Sequence, residues 1–449
     1  MTDATPQPTA TEAPARPAHW GRVVAWSLWD WAVQPFNSVI ITFVFVALYL
    51  TSDSFIDPDL AALPESDPAR EAAMAQLASN LALGVTVAGV LVALLAPVLG
   101  QRADTSGRRK RWLGVSTIAV IACMLGLFFV EAAPAYFLLA VVLIGVGSVF
   151  GEIGGVHYNA LLAQVSTKDN VGRVSGLGWG LGYLGGIVAL VIVVIAEGAE
   201  WWGMDTSNGM AYRVIALGCA LWAVAFAWPI FAFVPEATPT GRPRVSLLGS
   251  YKRLWDDLRG LWTESRPTLW FLVASAIYRD GLAGVFTFGA IIAARAFGFS
   301  DQEVIFFGVA ANLVAGLATI VAGRVDDWVG PRTLIIASLS GMVTAGLVVA
   351  FLHELGDIVF WVAGLVLCLF VGPVQSASRS LLARVSPRGK EGEIFGLYAT
   401  TGRAVSFLAP AAYAAAIAVT GAVIWGTIGI VLVVGAGLVA MLFVKVPTR

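Results

Sequence analysis

The residues most able to do chemistry in this sequence are ionisable and amide side chains set within long apolar runs. A charge inside a bilayer is costly, so a carboxylate or guanidinium there marks a functional position by default. Asp30, Gln34 and Asn37, together with Ser27, follow helical spacing and share one face of their run. Glu152 and Asn159 share a face of a second run, and Arg279 and Asp280 stand side by side in a third. Gln375 and Arg379 lie one helical turn apart in a fourth, and Arg403 sits in a fifth. These ten are candidates for holding a solute or passing a proton. Asp30 and Asp280 lead for the proton, because each lies in the run that opens one half of the chain. The mixture of acids and bases suits a zwitterion or a polar neutral solute. The competing reading is a set of structural ion pairs fixing helix against helix. His157 stands alone, since His19 and His353 fall in the tail and an outer loop. No metal cluster is expected, and His157 is read as a packing residue.

Composition says what must carry these residues. Of 449 residues, 58% are hydrophobic and only 13% charged, against about 25% charged in soluble domains. Such a chain cannot cover a water-facing surface, so lipid must be its main solvent. A net charge of −1 gives no basic excess for nucleic acid. Cys123, Cys219 and Cys368 all lie in apolar runs, which argues against a disulfide framework or a thiol metal site.

A helix needs about 20 apolar residues to cross a bilayer. Twelve runs qualify, at 22–50, 76–100, 112–131, 135–163, 171–197, 211–234, 267–297, 302–324, 331–353, 358–384, 391–420 and 422–444. Loop charges set their orientation. With both termini cytoplasmic, Arg102, Arg108, Arg109, Lys110 and Arg111 fall inside, as do Arg242, Arg244, Lys252, Arg253, Arg259 and Arg266, and Arg384, Arg388 and Lys390. The opposite loops hold Arg70, Arg213 and Arg295 but also Asp53, Asp57, Asp59, Glu65, Asp67, Glu200 and Asp205. Counted from the inner ends, Asp280 and Arg403 then lie roughly 18–20 Å deep, with Glu152 similar and Asp30 and Arg379 shallower. The expected organisation is a disordered cytoplasmic tail at 1–21, a six-helix bundle at 22–234, a linker at 235–266, a second bundle at 267–444 and a short tail at 445–449. Within the linker Leu247, Leu248, Tyr251, Leu254, Trp255, Leu258, Leu261 and Trp262 recur at helical spacing, predicting an amphipathic helix on the inner membrane surface.

The two halves repeat. Gly100, Asp104, Gly107 and Arg109 recur 223 residues later as Gly323, Asp327, Gly330 and Arg332. Leu161 to Ser166 recurs 220 residues later as Leu381 to Ser386, and in that register Gly172 meets Gly392 and Gly176 meets Gly396. Parallel six-span repeats are the plan of the major facilitator superfamily, with a site between the halves near the midplane. The stretch from Gly100 to Arg109, which includes Arg108, resembles that superfamily's signature loop. Gly allows a tight turn, Asp104 can meet a helix N-terminus, and the arginines can pair with acids or carbonyls. Both copies are therefore candidate gating loops. By contrast, Gly180-Leu181-Gly182-Tyr183-Leu184-Gly185 mimics a dinucleotide fingerprint but lies inside a span. With Gly178, Gly182 and Gly186 spaced by four, it reads as a helix-packing face.

Longer motifs narrow the resemblance. They are Trp26-Ser27-Leu28-Trp29-Asp30-Trp31-Ala32, Tyr158-Asn159-Ala160-Leu161-Leu162, Gly172 to Gly186, Tyr278-Arg279-Asp280-Gly281, Gly372 to Ser380 and Thr401 to Leu408. Over roughly residues 25–410 the chain resembles the vacuole-effluxer family, a branch of the same superfamily named for fungal vacuolar amino-acid exporters. It departs at Val33-Gln34-Pro35, where the family often has Asn-Ser-Ala, at Arg279, more often small or amide-bearing, and at Arg403, more often Lys. The resemblance implies an all-α major facilitator fold and transport of a small polar solute such as an amino acid, with export as one direction. It also implies that spans one, four, seven and ten line the cavity.

The expected function is secondary transport by alternating access, with protons as candidate coupling ion. The alternatives are a uniporter and a non-transporting sensor or scaffold on the same fold. No Walker A sequence and no catalytic constellation is present, so neither nucleotide nor other cofactor, metal or enzymatic activity is expected. The expected partners are the solute, protons and the lipid bilayer, with the chain working as a monomer in a bacterial inner membrane.

Overall fold

A computed structural model describes residues 20–237, 246–264, 266–387 and 389–445. The basic residues Arg242, Arg244 and Arg388 and most of both tails lie outside them. Among the described residues twelve helices are long and apolar enough to cross a membrane: Trp20–Leu50, Pro68–Ser106, Arg109–Leu127, Pro134–Val165, Val171–Gly198, Ser207–Phe233, Arg266–Ala296, Phe306–Val329, Pro331–Phe351, Asp357–Val385, Glu391–Thr420 and Val423–Leu442. They are called spans one to twelve below. Their number matches the count from hydropathy, because a bilayer leaves the backbone no other way to satisfy its polar groups along a spanning segment. The described regular elements are all helical.

Several helices depart from a plain apolar rod, and the sequence explains most of them. Span two starts eight residues before the predicted 76, because Asp67 caps Ala69 N at 2.8 Å and Pro68 occupies the first turn. Pro35 carries no N–H, and beyond it span one continues as π-helical segments Phe36–Phe43 and Phe45–Leu50. The Trp31 carbonyl one turn before Pro35 accepts Trp222 Nε1 at 3.1 Å instead. Span eleven, predicted as one helix, is two: Glu391–Ala404 and Leu408–Thr420, interrupted at Val405–Phe407. Pro410, in the first turn of the second segment, has no N–H to offer the Ser406 carbonyl within the break.

In the first half, span one packs on spans five and six, span three on four and six, and span two on four. In the second half, span seven packs on twelve, span nine on ten and twelve, and span eight on ten. The halves meet where span five lies along span eight and where span two lies along the first segment of span eleven. Both seams begin at the face carrying the Arg- and Lys-rich loops, called here the basic face. The linker forms the helix Leu247–Glu264, with Tyr251 Oη donating to Leu94 O at 3.0 Å, Leu254 packed on the core, and Trp255 and Trp262 exposed.

Candidate functional site

At the basic face each repeated aspartate crosses to the other half. Asp104 and Asp327 are not loop residues: they sit in the last turns of the helices of spans two and eight, each followed by a turn at a positive-φ glycine, Gly107 or Gly330. Asp104 Oδ2 accepts Glu393 N at 2.9 Å, at the start of span eleven. Asp327 accepts Gly172 N at 2.8 Å and Arg173 N at 2.9 Å, at the start of span five. Each carboxylate thus meets the free amides and positive dipole end of a helix in the opposite bundle. The repeated glycines permit the approach: a Cβ on Gly100 would collide with the Gly392 carbonyl, and one on Gly323 would press on Gly172 O and Gly176.

The counter-charges differ between the copies. Arg109 is buried and bridges Asp104 at 2.6 Å and Glu391 of the other half at 2.6 Å, with a further bond to Ala160 O at 3.2 Å. Its repeat partner Arg332 instead caps the end of span twelve, donating to Val444 O at 2.7 Å and Leu442 O at 2.8 Å. Arg384 takes its place beside Asp326 at 2.9 Å and Asp327 at 3.1 Å, all within the second half. Asp326 also accepts a short bond from Ser380 Oγ. Arg108 stands at the N-cap of span three with no side-chain cap bond. A third tie lies deeper. Pro97 leaves the Ala93 carbonyl without its helical donor, and Thr400 Oγ1 of span eleven donates to it at 2.9 Å.

Beyond these ties the halves enclose a cavity of about 450 Å³. It runs from Arg379 and Phe395 toward Ile41, Leu81 and Val141 at the face opposite the basic loops. Nine of the ten polar candidates line it: Asp30, Gln34, Asn37, Glu152, Asn159, Arg279, Gln375, Arg379 and Arg403. Asp280 does not. Its Oδ2 accepts Ala409 N at 2.6 Å, capping the second segment of span eleven. An anion at that exposed helix start explains both the break and the buried charge.

Arg379 is held from all sides. It donates through Nε to Ser175 Oγ at 2.9 Å, through Nη2 to Ser175 O at 2.5 Å and through Nη1 to Asn159 Oδ1 at 3.2 Å. Asp30 lies 3.9 Å from Nη1, and the rings of Trp26, Tyr158 and Trp179 box the guanidinium at 4.9–5.5 Å. With its donors taken and 3% exposure, it is a strut between span ten and spans one, four and five. Gln375 accepts Tyr183 Oη at 2.8 Å. Arg403 pairs across the halves with Glu152 at 2.6 Å, both more than one-third exposed. Arg279 donates to Tyr398 O at 2.8 Å and lies 3.8 Å above the Tyr398 ring.

Sequence reasoning missed Trp179, Tyr183, Tyr398 and Ser175 as site residues, and Glu391, Glu393, Asp326 and Arg384 as parts of the ties. Trp179 and Tyr183 were findable, being one helical turn apart on a glycine-lined face. The segment that mimics a nucleotide fingerprint packs on two sides: Gly178, Gly182 and Gly186 on span one, and Gly176 and Gly180 on span eight. His157 is fully buried, 6.2 Å from the Trp112 ring.

This arrangement, two bundles joined at one face around a polar central cavity, has known counterparts. The proton:xylose symporter XylE of the major facilitator superfamily superposes with a TM-score of 0.72 at 13% identity, covering 95% of this chain and 96% of that one. The MFS-type transporter YxiO of Bacillus subtilis (strain 168) is 23% identical over 430 residues, which is 94% of this chain and 95% of the relative. Autophagy-related protein 22 of Cryptococcus neoformans var. neoformans serotype D (strain JEC21) is 25% identical over 293 residues, so the chain spans about half the length of that fungal relative. The sequence pattern of the vacuole effluxer Atg22-like proteins runs through residues 73–448, from span two to beyond span twelve. The chain therefore belongs to the vacuole effluxer Atg22-like family, and is a transporter of the major facilitator superfamily.

Proposed function

We propose that the protein is a secondary active transporter that moves a small polar solute by alternating access, with export of an amino acid or similar solute as the working direction. The observation that carries this reading is the pair of Asp-to-helix ties, Asp104 to Glu393 and Asp327 to Gly172 and Arg173, closing the basic face below a polar cavity. Such ties are contacts between a carboxylate and a helix start, with no covalent or interleaved element across the seam, able to break and reform as the halves rock. With the basic loops cytoplasmic in a bacterial inner membrane, this is the state closed to the inside and open to the outside. Asp30 is the group suited to couple solute to protons. It lies in the cavity, its nearest base is Arg379 at 3.9 Å, and Asp280 is occupied as a helix cap. No nucleotide is then needed, because the cavity carries both solute and proton. Flux of labelled solutes in vesicles reconstituted with the purified chain tests this. Uptake that responds to an imposed pH gradient in the wild type, and not in Asp30→Asn, is the expected result. Flux indifferent to the gradient would make the chain a uniporter, and no flux of any solute would leave it a sensor or scaffold.

A further inference from the structure

The cavity lining carries three arginines, Arg279, Arg379 and Arg403, but two carboxylates, Asp30 and Glu152. Two of the arginines are answered. Arg379 has Asp30, Asn159 and Ser175, and Arg403 has Glu152 at 2.6 Å. Arg279 has no carboxylate within ion-pair distance among the described residues. Its sequence neighbour Asp280 turns its Oδ2 to the Ala409 amide instead. Among the described residues, of the Arg279 donors only Nη1 is engaged, with the Tyr398 carbonyl. The Tyr398 ring supports one face of the guanidinium at 3.8 Å, and Gly402 leaves room beside Nη1. Stacking fixes the plane of the fork and leaves the Nε–Nη2 edge without an acceptor among the described residues. A charge held so within a membrane protein is expensive unless something pairs with it.

We propose that the solute is a small organic anion whose carboxylate docks bidentately on the Nε–Nη2 edge of Arg279, supplying the negative charge the cavity lacks. A planar guanidinium matches a carboxylate in this two-bond geometry, and aromatic support pre-organises it. A zwitterion fits less well. Its ammonium would have to displace Arg379 from Asp30 or Arg403 from Glu152, and it would leave the excess positive charge unanswered. The amide groups of Gln34, Asn37 and Gln375 can meet hydroxyl or carbonyl oxygens on the rest of the anion, and the volume suits a small molecule. This inference rests on the transport reading above and replaces the amino acid named there by a small organic anion as the solute of the same cavity.

The test uses purified full-length protein and matched probes: lactate against lactamide, gluconate against glucose, and glutamine as a zwitterion. Thermal unfolding in detergent reads binding, and uptake into reconstituted vesicles reads flux. The anions are expected to stabilise the wild type and their neutral partners and glutamine are not. Arg279→Gln should weaken anion binding at least about tenfold, and Arg279→Lys, which keeps the charge without the fork, should fall between. The wild-type comparison needs no variant to fold. The inference is overturned if neutral or zwitterionic probes stabilise as well as anions, if no anion stabilises, or if a folded Arg279→Gln keeps full anion binding. The two readings fail separately. Flux of glucose or glutamine without anions would remove this one and leave transport standing. Arg279-dependent anion binding with no flux of any probe would do the reverse.

Discussion

Truncating Glu391 should release the closed face, and the size of the effect follows from its partners. Glu391 Oε2 meets Arg109 Nη2 at 2.6 Å, with the arginine 2% and the glutamate 10% exposed at the side chain. The bond joins the two halves, so it exists only while they are closed on the basic face. A hydrogen bond to a charged group contributes about 1.5–3 kcal/mol. Arg109 keeps Asp104 and the Ala160 carbonyl in Glu391→Ala, so the variant does not leave an orphaned charge, whose penalty would be about 3–5 kcal/mol. A loss of about 1.5–3 kcal/mol shifts a two-state equilibrium roughly 10- to 150-fold. Glu391→Gln keeps a neutral acceptor and should lose about half as much. Spin labels on Arg111→Cys and Pro387→Cys, exposed positions in different halves, read the separation directly. The three native cysteines are buried and give little background once Cys123, Cys219 and Cys368 stay unlabelled. The label distance should lengthen in Glu391→Ala and less so in Glu391→Gln. A folded Glu391→Ala with the wild-type distance distribution would refute the reasoning.

Three further outcomes follow from single contacts. Thr400→Val leaves the Ala93 carbonyl below Pro97 without its donor in the closed state only, so the same label pair should report opening by about 1 kcal/mol, a roughly fivefold population change. Asp280→Leu removes the cap on Leu408–Thr420 and should lower stability by about 0.5–2 kcal/mol in thermal unfolding, whereas Asp280→Asn, which keeps an acceptor, should stay near wild type. Arg379→Lys cannot reproduce three directed bonds inside a box of rings, so it should destabilise by about 3 kcal/mol or more, and wild-type unfolding would show that the strut is dispensable.

How much of this was legible depended on how local each cause is. The span count was, because each crossing must satisfy its own backbone within about 20 residues. The cavity lining was nearly so: a polar residue in an apolar run must face protein or water rather than lipid, and nine of ten candidates do. The exception, Asp280, has its partner amide 129 residues away, at a helix break that Pro410 signals but that does not say which acid will cap it. Nothing near Asp280 in sequence distinguishes a cap from a cavity acid. The Glu391 tie was hidden in the same way, 282 residues from Arg109. The repeat revealed which aspartates matter, but placed them in loops, because a Gly three residues past each Asp104-like position could not fix where the preceding helix ends. The early start of span two was signalled by Asp67-Pro68, yet those residues lie outside the apolar run that defined the span.

The two halves share a device but not its wiring, and this bears on how the closed face opens. Both aspartates hold an opposite helix start, so the duplication preserved the anion-to-amide contact. The arginine that steadies each one has diverged. On the Asp104 side the steadying charge is itself answered from across the seam, so separation must break Arg109–Glu391 as well as Asp104–Glu393. On the Asp327 side Arg384, Asp326 and Asp327 all travel with one half, so separation keeps those ion pairs; it breaks the bonds to Gly172 and Arg173 and, deeper, those of Arg379 to Ser175, Asn159 and Asp30. At the basic face, then, the charge that steadies Asp104 is itself a tie across the seam, and the charge that steadies Asp327 is not. Arg384→Ala and Glu391→Ala distinguish these two arrangements. The first disturbs Asp327 without removing any cross-seam ion pair, so it should lengthen the Arg111–Pro387 label distance less than the second. Equal lengthening would mean that both seams share one barrier and that the asymmetry of charge has no mechanical consequence.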